Sequence, residues 1–378
     1  MKIAIQAADL DNKRIDGTRV YLLNLLKYFG KISPEDEFLI YHRKEFNPEL
    51  TPKNFSNYKI KRITSPCFWT QTRFAAEVWK DNPDVLWMPM HNIPLIRKRK
   101  LKTVATIHDL AFKIFPESFP TKDLRQINFL TDIAIRNADK MIAISHSTKN
   151  DILKFYSQID KRKIKVIHHG FDMELFQKEI PESKSAEVFS KFKIQNSKFI
   201  LYVGAVQPRK NLETLIWAFE KYRNEQRKKI NNGQQVKLVF AGSRAWMWER
   251  VIERVENSPF RDDIILTGRV DFLTLATLYR NAGLFVFPSL YEGFGIPVLE
   301  AMASKVPVIC ADNSSLREAG GEAAEYFHSF DPSELAEKIE KIFSDDEMRK
   351  SMIEKGIKQA ENFSWERCAR ETLEWLKC

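Results

Sequence analysis

The sequence predicts an α/β protein of two doubly wound domains, each a parallel sheet with helices on both faces. Three observations carry that prediction. At 378 residues the chain is longer than the roughly 250–300 residues at which one hydrophobic core stops growing. Short β-branched and apolar runs alternate with stretches of helical period along its whole length. The alternation also restarts: one strand opens the chain at Lys2, and a second series opens at Phe199 after the polar, Lys-rich stretch 173–197, which reads as a linker with one short helix. Residues 1–172 and 173–362 are therefore the two expected domains, with 363–378 as a closing helix.

Composition narrows the class. The net charge of +10 admits nucleic acid, an anionic membrane surface or anionic substrates as partners. No zinc-finger spacing and no basic face interleaved with aromatic residues is present, so nucleic acid is not expected. The densest basic run, Arg97-Lys98-Arg99-Lys100 followed by Lys102, reads either as a solvated loop before a buried strand or as a patch facing anionic lipid headgroups. No run approaches the roughly 18 apolar residues of a membrane span. The N-terminus MKIAIQAADL reads as a first strand rather than a signal peptide. Cys67, Cys310, Cys368 and Cys378 lie far apart without a C-x-x-C pair. A zinc site is therefore not expected, and a cytoplasmic location is, peripheral at most to the inner membrane face.

In chain order, 2–7 alternates into a strand, the loop ADLDNKRIDGT follows, and a helix takes up Val20, Leu22, Leu23, Leu25 and Leu26. That loop sits where doubly wound folds bind ligands, at the carboxyl end of the first strand. Asp9-Leu10-Asp11 is a D-x-D, but one such pair in an Asp-rich loop is a weak metal signal, and no metal is expected. Strands follow at 38–42, 59–63 and 84–88, with an amphipathic helix over 69–80. Met90-His91-Asn92, just past a strand end, lines an acceptor cleft or is loop filler. Thr103 to Ile107 is a strand ending in His108-Asp109, a polar pair at the mouth of the sheet. A helix over 123–138 and a strand over 141–144 lead to Ser145-His146-Ser147, with Ser147 as the expected N-cap of the next helix. A strand over 164–167 ends in His168-His169-Gly170. Successive strand residues point to opposite faces, so these histidines are not expected to share a metal.

The second series begins with the buried strand Phe199–Val203, then Gly204-Ala205-Val206-Gln207-Pro208-Arg209-Lys210-Asn211. A Gly turn followed by two cations at the start of a helix builds an anion site: Arg209 forks onto phosphate oxygens and Lys210 adds a point charge. Cations oppose the dipole at a helix N-terminus, so the pair calls for an anionic partner. Strands at 236–241 and 264–267 follow, the latter leading into Gly268-Arg269-Val270. Residues 285–308, FVFPSLYEGFGIPVLEAMASKVPV, then read as a strand, a loop (Glu292, Gly293, Phe294, Gly295), a helix opening at Pro297, and a further strand after Val306. The glycines let backbone approach a ligand, and the helix N-terminus suits phosphate. Glu292 and Glu300, the latter expected in the first helical turn, are eight positions apart (300 − 292 = 8). Two carboxylates repel phosphate but accept hydrogen bonds from both hydroxyls of a diol. Phosphate flanked by polyols describes a sugar nucleotide. Helices over 332–343 and 346–361, the first capped by Asp331, and a last helix capped by Ser364 close the chain.

The E-x7-E pattern in YEGFGIPVLEAMA resembles the retaining glycosyltransferases of group 1, family 4, whose GT-B fold sets two Rossmann-like domains face to face across a cleft. TIHDL around His108 and the Arg209-Lys210 pair are similar to that family's pattern as well. The resemblance implies Glu292 on the donor sugar, Glu300 on the ribose, and Arg209 and Lys210 on the leaving diphosphate, with His108 near the reacting carbon. Those four other than Glu300 are the implied catalytic residues. It implies further donor contacts from Gly17, Gly204 and Val270 and from the run Gly293, Phe294, Gly295, Ile296, Pro297 and Val298. The first domain then holds the acceptor and the second the nucleotide sugar. This sequence departs from the family in having one glycine, Gly17, where many relatives have more, and His-His-Gly at 168–170 where relatives carry a Pro-Asn-Gly-type turn. The expected activity is metal-independent transfer of a mannose- or glucose-type sugar from a GDP- or UDP-sugar, with no further cofactor, to a glycan or lipid-linked acceptor. The resemblance implies retention by same-face attack, and no second carboxylate is placed as a nucleophile, so double displacement is not expected. The alternatives are a sugar-nucleotide epimerase of the same fold and a non-catalytic sugar-nucleotide binding protein.

Overall fold

The structure, a computed structural model, describes residues 1–13, 15–64, 68–194, 198–229 and 235–378. Cys67 and linker residues 195–197 lie outside the described residues. The chain forms two compact units. One comprises Met1–Pro116, Thr121–Gly170 and Phe363–Cys378, and the other Glu117–Pro120 and Phe171–Asn362.

The first unit is built on seven strands: β1 (Lys2–Gln6), β2 (Glu37–His42), β3 (Tyr58–Arg62), β4 (Val85–Met88), β5 (Lys102–Ile107), β6 (Lys140–Ala143) and β7 (Ile164–Val166). They form one parallel sheet in the order β3-β2-β1-β4-β5-β6-β7. Ile3, Ala4 and Ile5 of β1 and all four residues of β4 are buried. Such continuous apolar runs are what a parallel sheet covered on both faces selects. The chain passes from β1 to β2 on one side and returns to β4 on the other, so the loops after β1 and β4 part at a topological switch point.

The second unit repeats the plan with β8 (Phe199–Val203), β9 (Lys237–Ala241), β10 (Ile264–Gly268), β11 (Leu284–Phe287), β12 (Val308–Ala311) and β13 (Glu325–Phe327). Their order is β10-β9-β8-β11-β12-β13, again parallel, with the switch between β8 and β11.

Several local expectations change. The helix expected over 69–80 is a 3-10 turn, Trp69–Gln71, followed by a helix, Arg73–Asp81. Thr72 (φ −115°, ψ −93°) breaks it, which turns Trp69 inward to donate to Ile63 O (2.7 Å) and stack on Phe74. The N-cap before helix His146–Phe155 is Ser145, not Ser147: its extended backbone (φ −154°) lets Oγ accept from Thr148 N–H at 3.0 Å. The stretch 173–197 holds two helices, Met173–Gln177 and Glu182–Phe192, rather than a linker with one. Strand β13 and helix Glu249–Glu256 are too short for the pattern to have singled out.

Helix Gly17–Ile32 buries Tyr21, Leu22, Leu25, Leu26 and Phe29, one stripe at helical spacing. The closing helix Trp365–Lys377 packs on it and is tied by Trp375 Nε1 to Met141 O (3.1 Å) and by Lys377 Nζ to Ser33 Oγ (2.7 Å). Its start crowds Gly170, where a Cβ would lie 2.0 Å from Trp365 N and 2.3 Å from the Ser364 carbonyl carbon. Among the described residues no helix is long and apolar enough to cross a membrane.

Backbone cannot yield at Gly170 as a flexible side chain would. Gly170→Ala is therefore expected to lower stability by about 3 kcal/mol, the upper end for overpacking, and to expose Trp365. Chemical denaturation followed by tryptophan fluorescence reads both. Gly17→Ala, where a Cβ meets nothing within 4 Å, is expected to leave stability unchanged.

Candidate functional site

β8 and β11 are adjacent, paired Leu284↔Ile200 and Phe285↔Leu201. The loops leaving their carboxyl ends meet. After β8 the chain turns at Gly204 (φ +151°), where a Cβ would fall 2.6 Å from the Tyr202 hydroxyl. Arg209 and Lys210 then lie in a 3-10 turn, Pro208–Lys210, not at the opening of a helix. Asn211, left-handed at φ 55°, separates them from helix Leu212–Lys229. The pair thus stands outside that helix, and the conflict with its dipole is relieved. Asn211 also fixes the turn, its Nδ2 donating to Pro288 O (3.2 Å) and Ser329 O (2.7 Å).

The loop after β11 brings Glu292 onto both cations. The Lys210 ammonium donates to Glu292 Oε1, and Arg209 lies 3.4 Å from Glu292 Oε2 while donating to the Tyr291 carbonyl. All three side chains are only 11–12% exposed. Burial pushes the Glu292 carboxyl up, but Lys210 and then Arg209 outweigh it and hold it down at about 2. Two serines fix the loop backbone. Ser314 Oγ accepts from Glu292 N–H (3.0 Å), and Ser315 Oγ shares its proton between Glu292 O (2.8 Å) and Phe294 O (2.9 Å).

Gly295 closes the loop at φ +110°, and a Cβ there would fall 2.9 Å from Leu316 Cδ2. Helix Ile296–Ala303 begins one residue earlier than expected, with Pro297 second, and Glu300 falls in its second turn rather than its first. Val298 N–H closes on Gly295 O (3.0 Å), so it is not among the groups left for an anion. Glu300 Oε2 accepts from the Tyr279 hydroxyl (2.8 Å) of helix Phe272–Asn281. Burial pushes Glu300 up to about 7, the Tyr279 bond opposing and Asp172 adding. The two acids of the E-x7-E pair are thus held in opposite conditions, one firmly ionised and one titrating near neutrality.

In the first unit β1, β4 and β5 end side by side. Gly17 is the first residue of its helix, with Asp16 as N-cap, and its Cβ position is open. His108 is buried after β5, with Nε2 2.8 Å from Pro89 O. A carbonyl only accepts, so Nε2 carries the proton and Nδ1 the lone pair. The backbone N–H of His108 donates to His91 Nε2 (2.8 Å), and His91 Nδ1 faces Thr131 Oγ1 at 3.2 Å. Burial pushes both imidazoles down, His91 to about 4, so both are neutral. His91 is the partner that fixes His108, a role its sequence setting did not reveal. Asp109 turns the loop by accepting from Ala111 N–H (2.9 Å).

The remaining candidates separate. His169 is buried and stacked on Tyr21 (4.7 Å), while His168 is half-buried against Phe363 (5.7 Å). Asp11 of the D-x-D accepts from Arg43 and Lys44 N–H (2.7 and 2.6 Å), and Asp9 faces Arg19 at 3.9 Å. Val270 is half-buried after β10, an edge strand, next to Asp271, the N-cap of helix Phe272–Asn281. Tyr279 carries no local signal, lying 21 positions from Glu300 on another helix.

A family model described as "Glycosyl transferases group 1" matches residues 183–359, and one described as "Glycosyltransferase Family 4" matches residues 16–175. O-antigen chain mannosyltransferase B of Escherichia coli is 28% identical over 73% of this chain and 70% of its own. Sucrose-phosphate synthase from Thermosynechococcus elongatus aligns in structure at TM-score 0.76 and 19% identity, covering 100% of this chain and 98% of that one. Anabaena HepE in complex with UDP and glucose aligns at TM-score 0.75 and 17% identity, covering 100% and 99%.

The two acids predict opposite pH responses. Glu292 titrates lower folded than unfolded, so its contribution is present above the ordinary carboxylate value of 4.5 and lost as pH falls toward about 2. Glu300 titrates higher folded than unfolded, so its contribution is present below 4.5 and lost as pH rises through about 7. Glu292→Gln is expected to cost about 3 kcal/mol at neutral pH, and Glu300→Gln to gain about 3 kcal/mol at pH 8 relative to pH 4. Denaturant titration at each pH checks the signs. Tyr279→Phe removes the bond that lowers Glu300 and is expected to raise its titration midpoint, read by carboxyl NMR.

Proposed function

Because the chain belongs to the group 1, family 4 glycosyltransferases, we propose that it transfers a mannosyl or glucosyl residue from a GDP- or UDP-sugar. The acceptor is a hydroxyl of a glycan or lipid-linked saccharide, the product keeps the donor's anomeric configuration, and no metal takes part. The observation that carries the reading is the buried Arg209–Lys210–Glu292 cluster at the β8/β11 switch point, with Glu300 on the helix that follows. The mannosyl preference is supported by the name of the Escherichia coli relative, and the nucleotide-sugar donor by the UDP and glucose bound to HepE.

In this reading the chemistry follows from charge. As the glycosidic bond to the diphosphate breaks, negative charge grows on the β-phosphate. Arg209 and Lys210 are already oriented by Glu292 and the Tyr291 carbonyl, so they meet that charge without reorganising. Two cations do what a divalent ion does in other transferases, which is the ground for metal independence. Glu292, ionised, accepts from hydroxyls of the sugar and offsets positive charge on its ring. Glu300 accepts from the ribose diol with its carboxylate while Tyr279 holds one oxygen. His108, in the first unit, offers a neutral Nδ1 as an acceptor. The acceptor hydroxyl attacks the face the diphosphate leaves and passes its proton to the departing phosphate oxygen.

GDP-mannose or UDP-glucose at about 100 times its Kd is expected to raise the unfolding midpoint by roughly 5–10 °C. Arg209→Ala and Glu300→Ala are expected to remove the shift, and shifts retained in both sink the donor assignment. Proton NMR of the product tests retention, and an inverted anomer sinks it. Activity lost in EDTA and restored by a divalent ion sinks the metal-independent clause.

A further inference from the structure

The basic run after β4 has company that the sequence did not announce. Of its cations, Arg97 is anchored on Pro94 O (2.9 Å) and Asn137 O (2.7 Å), and Lys102 reaches the Cys378 carbonyl (3.2 Å). Arg99 and Lys100 are exposed, and Lys98 lies over the Trp79 ring at 5.7 Å. Beside them stand apolar side chains in solvent: Ile96 is 71% exposed, Leu95 56% and Trp79 48%. Ile96 and Trp79 line one shallow crevice with Pro94 and Val78. On helix Arg73–Asp81, Arg73 and Lys80 are exposed two turns apart with half-buried Glu77 between them, and Trp79 stands on the neighbouring side. Glu77 offsets these two cations, whereas Asp81 is taken up by Lys61 (2.6 Å) and Tyr41 (2.6 Å), so the unopposed charge of this face is that of the basic loop.

We propose that this face of the first unit docks on an anionic lipid surface, with Leu95, Ile96 and Trp79 entering the headgroup boundary and the surrounding cations on lipid phosphates. Single exposed apolar residues are ordinary, but three beside a basic loop match interfacial membrane contacts. Tryptophan is the side chain that favours that depth, and lysine stems reach from apolar surface to charge. A nucleic acid would take the cations and leave Leu95 and Ile96 without a partner, so lipid is the occupant that uses both. The inference stands whether or not the acceptor is lipid-linked, because docking is measured without donor or acceptor.

Flotation with vesicles of phosphatidylcholine alone, and of phosphatidylcholine mixed with phosphatidylglycerol, tests it on the full chain. Binding is expected only to the mixed vesicles and to weaken with salt. Arg99→Ser with Lys100→Ser is expected to weaken it about thirtyfold. Leu95→Ser with Ile96→Ser, which leaves the charge intact, is expected to weaken it at least about tenfold, and both pairs should keep the parent melting temperature. A blue shift of tryptophan emission on binding should be smaller in Trp79→Phe. Equal binding to neutral vesicles, no binding to the mixed ones, or undiminished binding by the Leu95/Ile96 variant overturns the proposal. So does a duplex DNA fragment that binds as tightly as the mixed vesicles and competes with them.

Discussion

Three charges buried where two loops meet set the terms for the second unit. Placing Lys210, Arg209 and Glu292 at 11–12% exposure removes most of their hydration, and only their mutual contact repays it. Separating the loops after β8 and β11 would leave an uncompensated buried charge, at about 3–5 kcal/mol. The positions of both loops are therefore coupled. Asn211 ties one of them to Pro288 and Ser329, and Ser314 and Ser315 tie the other. The cluster retains one unit of positive charge, which is why an anion suits it better than a neutral ligand.

The same logic of fixed polar groups recurs in the first unit with neutral partners. Pro89 O fixes the tautomer of His108, and His91 fixes the backbone beside it. Neither histidine is charged near neutral pH, because burial outweighs the nearby acids. A neutral imidazole with a defined lone pair is a directional acceptor, where an imidazolium would be a second donor. Glu300 is tuned the other way, its carboxyl raised by burial and moderated by Tyr279. One fold thus supplies a fixed anion, a fixed cation pair, a neutral acceptor and a carboxyl that titrates near neutrality.

Much of this was legible without coordinates, and the reason is period and spacing. The apolar strands at 103–107, 199–203 and 284–287 are continuous runs bounded by Gly, Pro or His, so the parallel sheets and their restart follow from the chain alone. Glu292, Glu300, Arg209, Lys210 and His108 stand out in the sequence because each sits just past a strand end or in the helix that follows. Local signals misled where a neighbour in space overrode them. Thr72 breaks a helical pattern so that Trp69 is buried, and Ser145 caps a helix because its backbone, unlike that of Ser147, is extended.

The sequence by itself determined which strands exist and which residue types stand at their carboxyl ends, and hence where a phosphate and polyol site is to be expected. The tertiary structure alone decided that Glu292 closes on Lys210 and Arg209, that Tyr279 holds Glu300, that His91 holds His108, and that Trp79 and Ile96 share a surface with the basic loop. The division has a physical cause. Strand and helix periods are fixed by contacts within a few residues, whereas these pairings join residues from 17 to 83 positions apart. No rule of spacing reaches that far; only the packing of one element on another does.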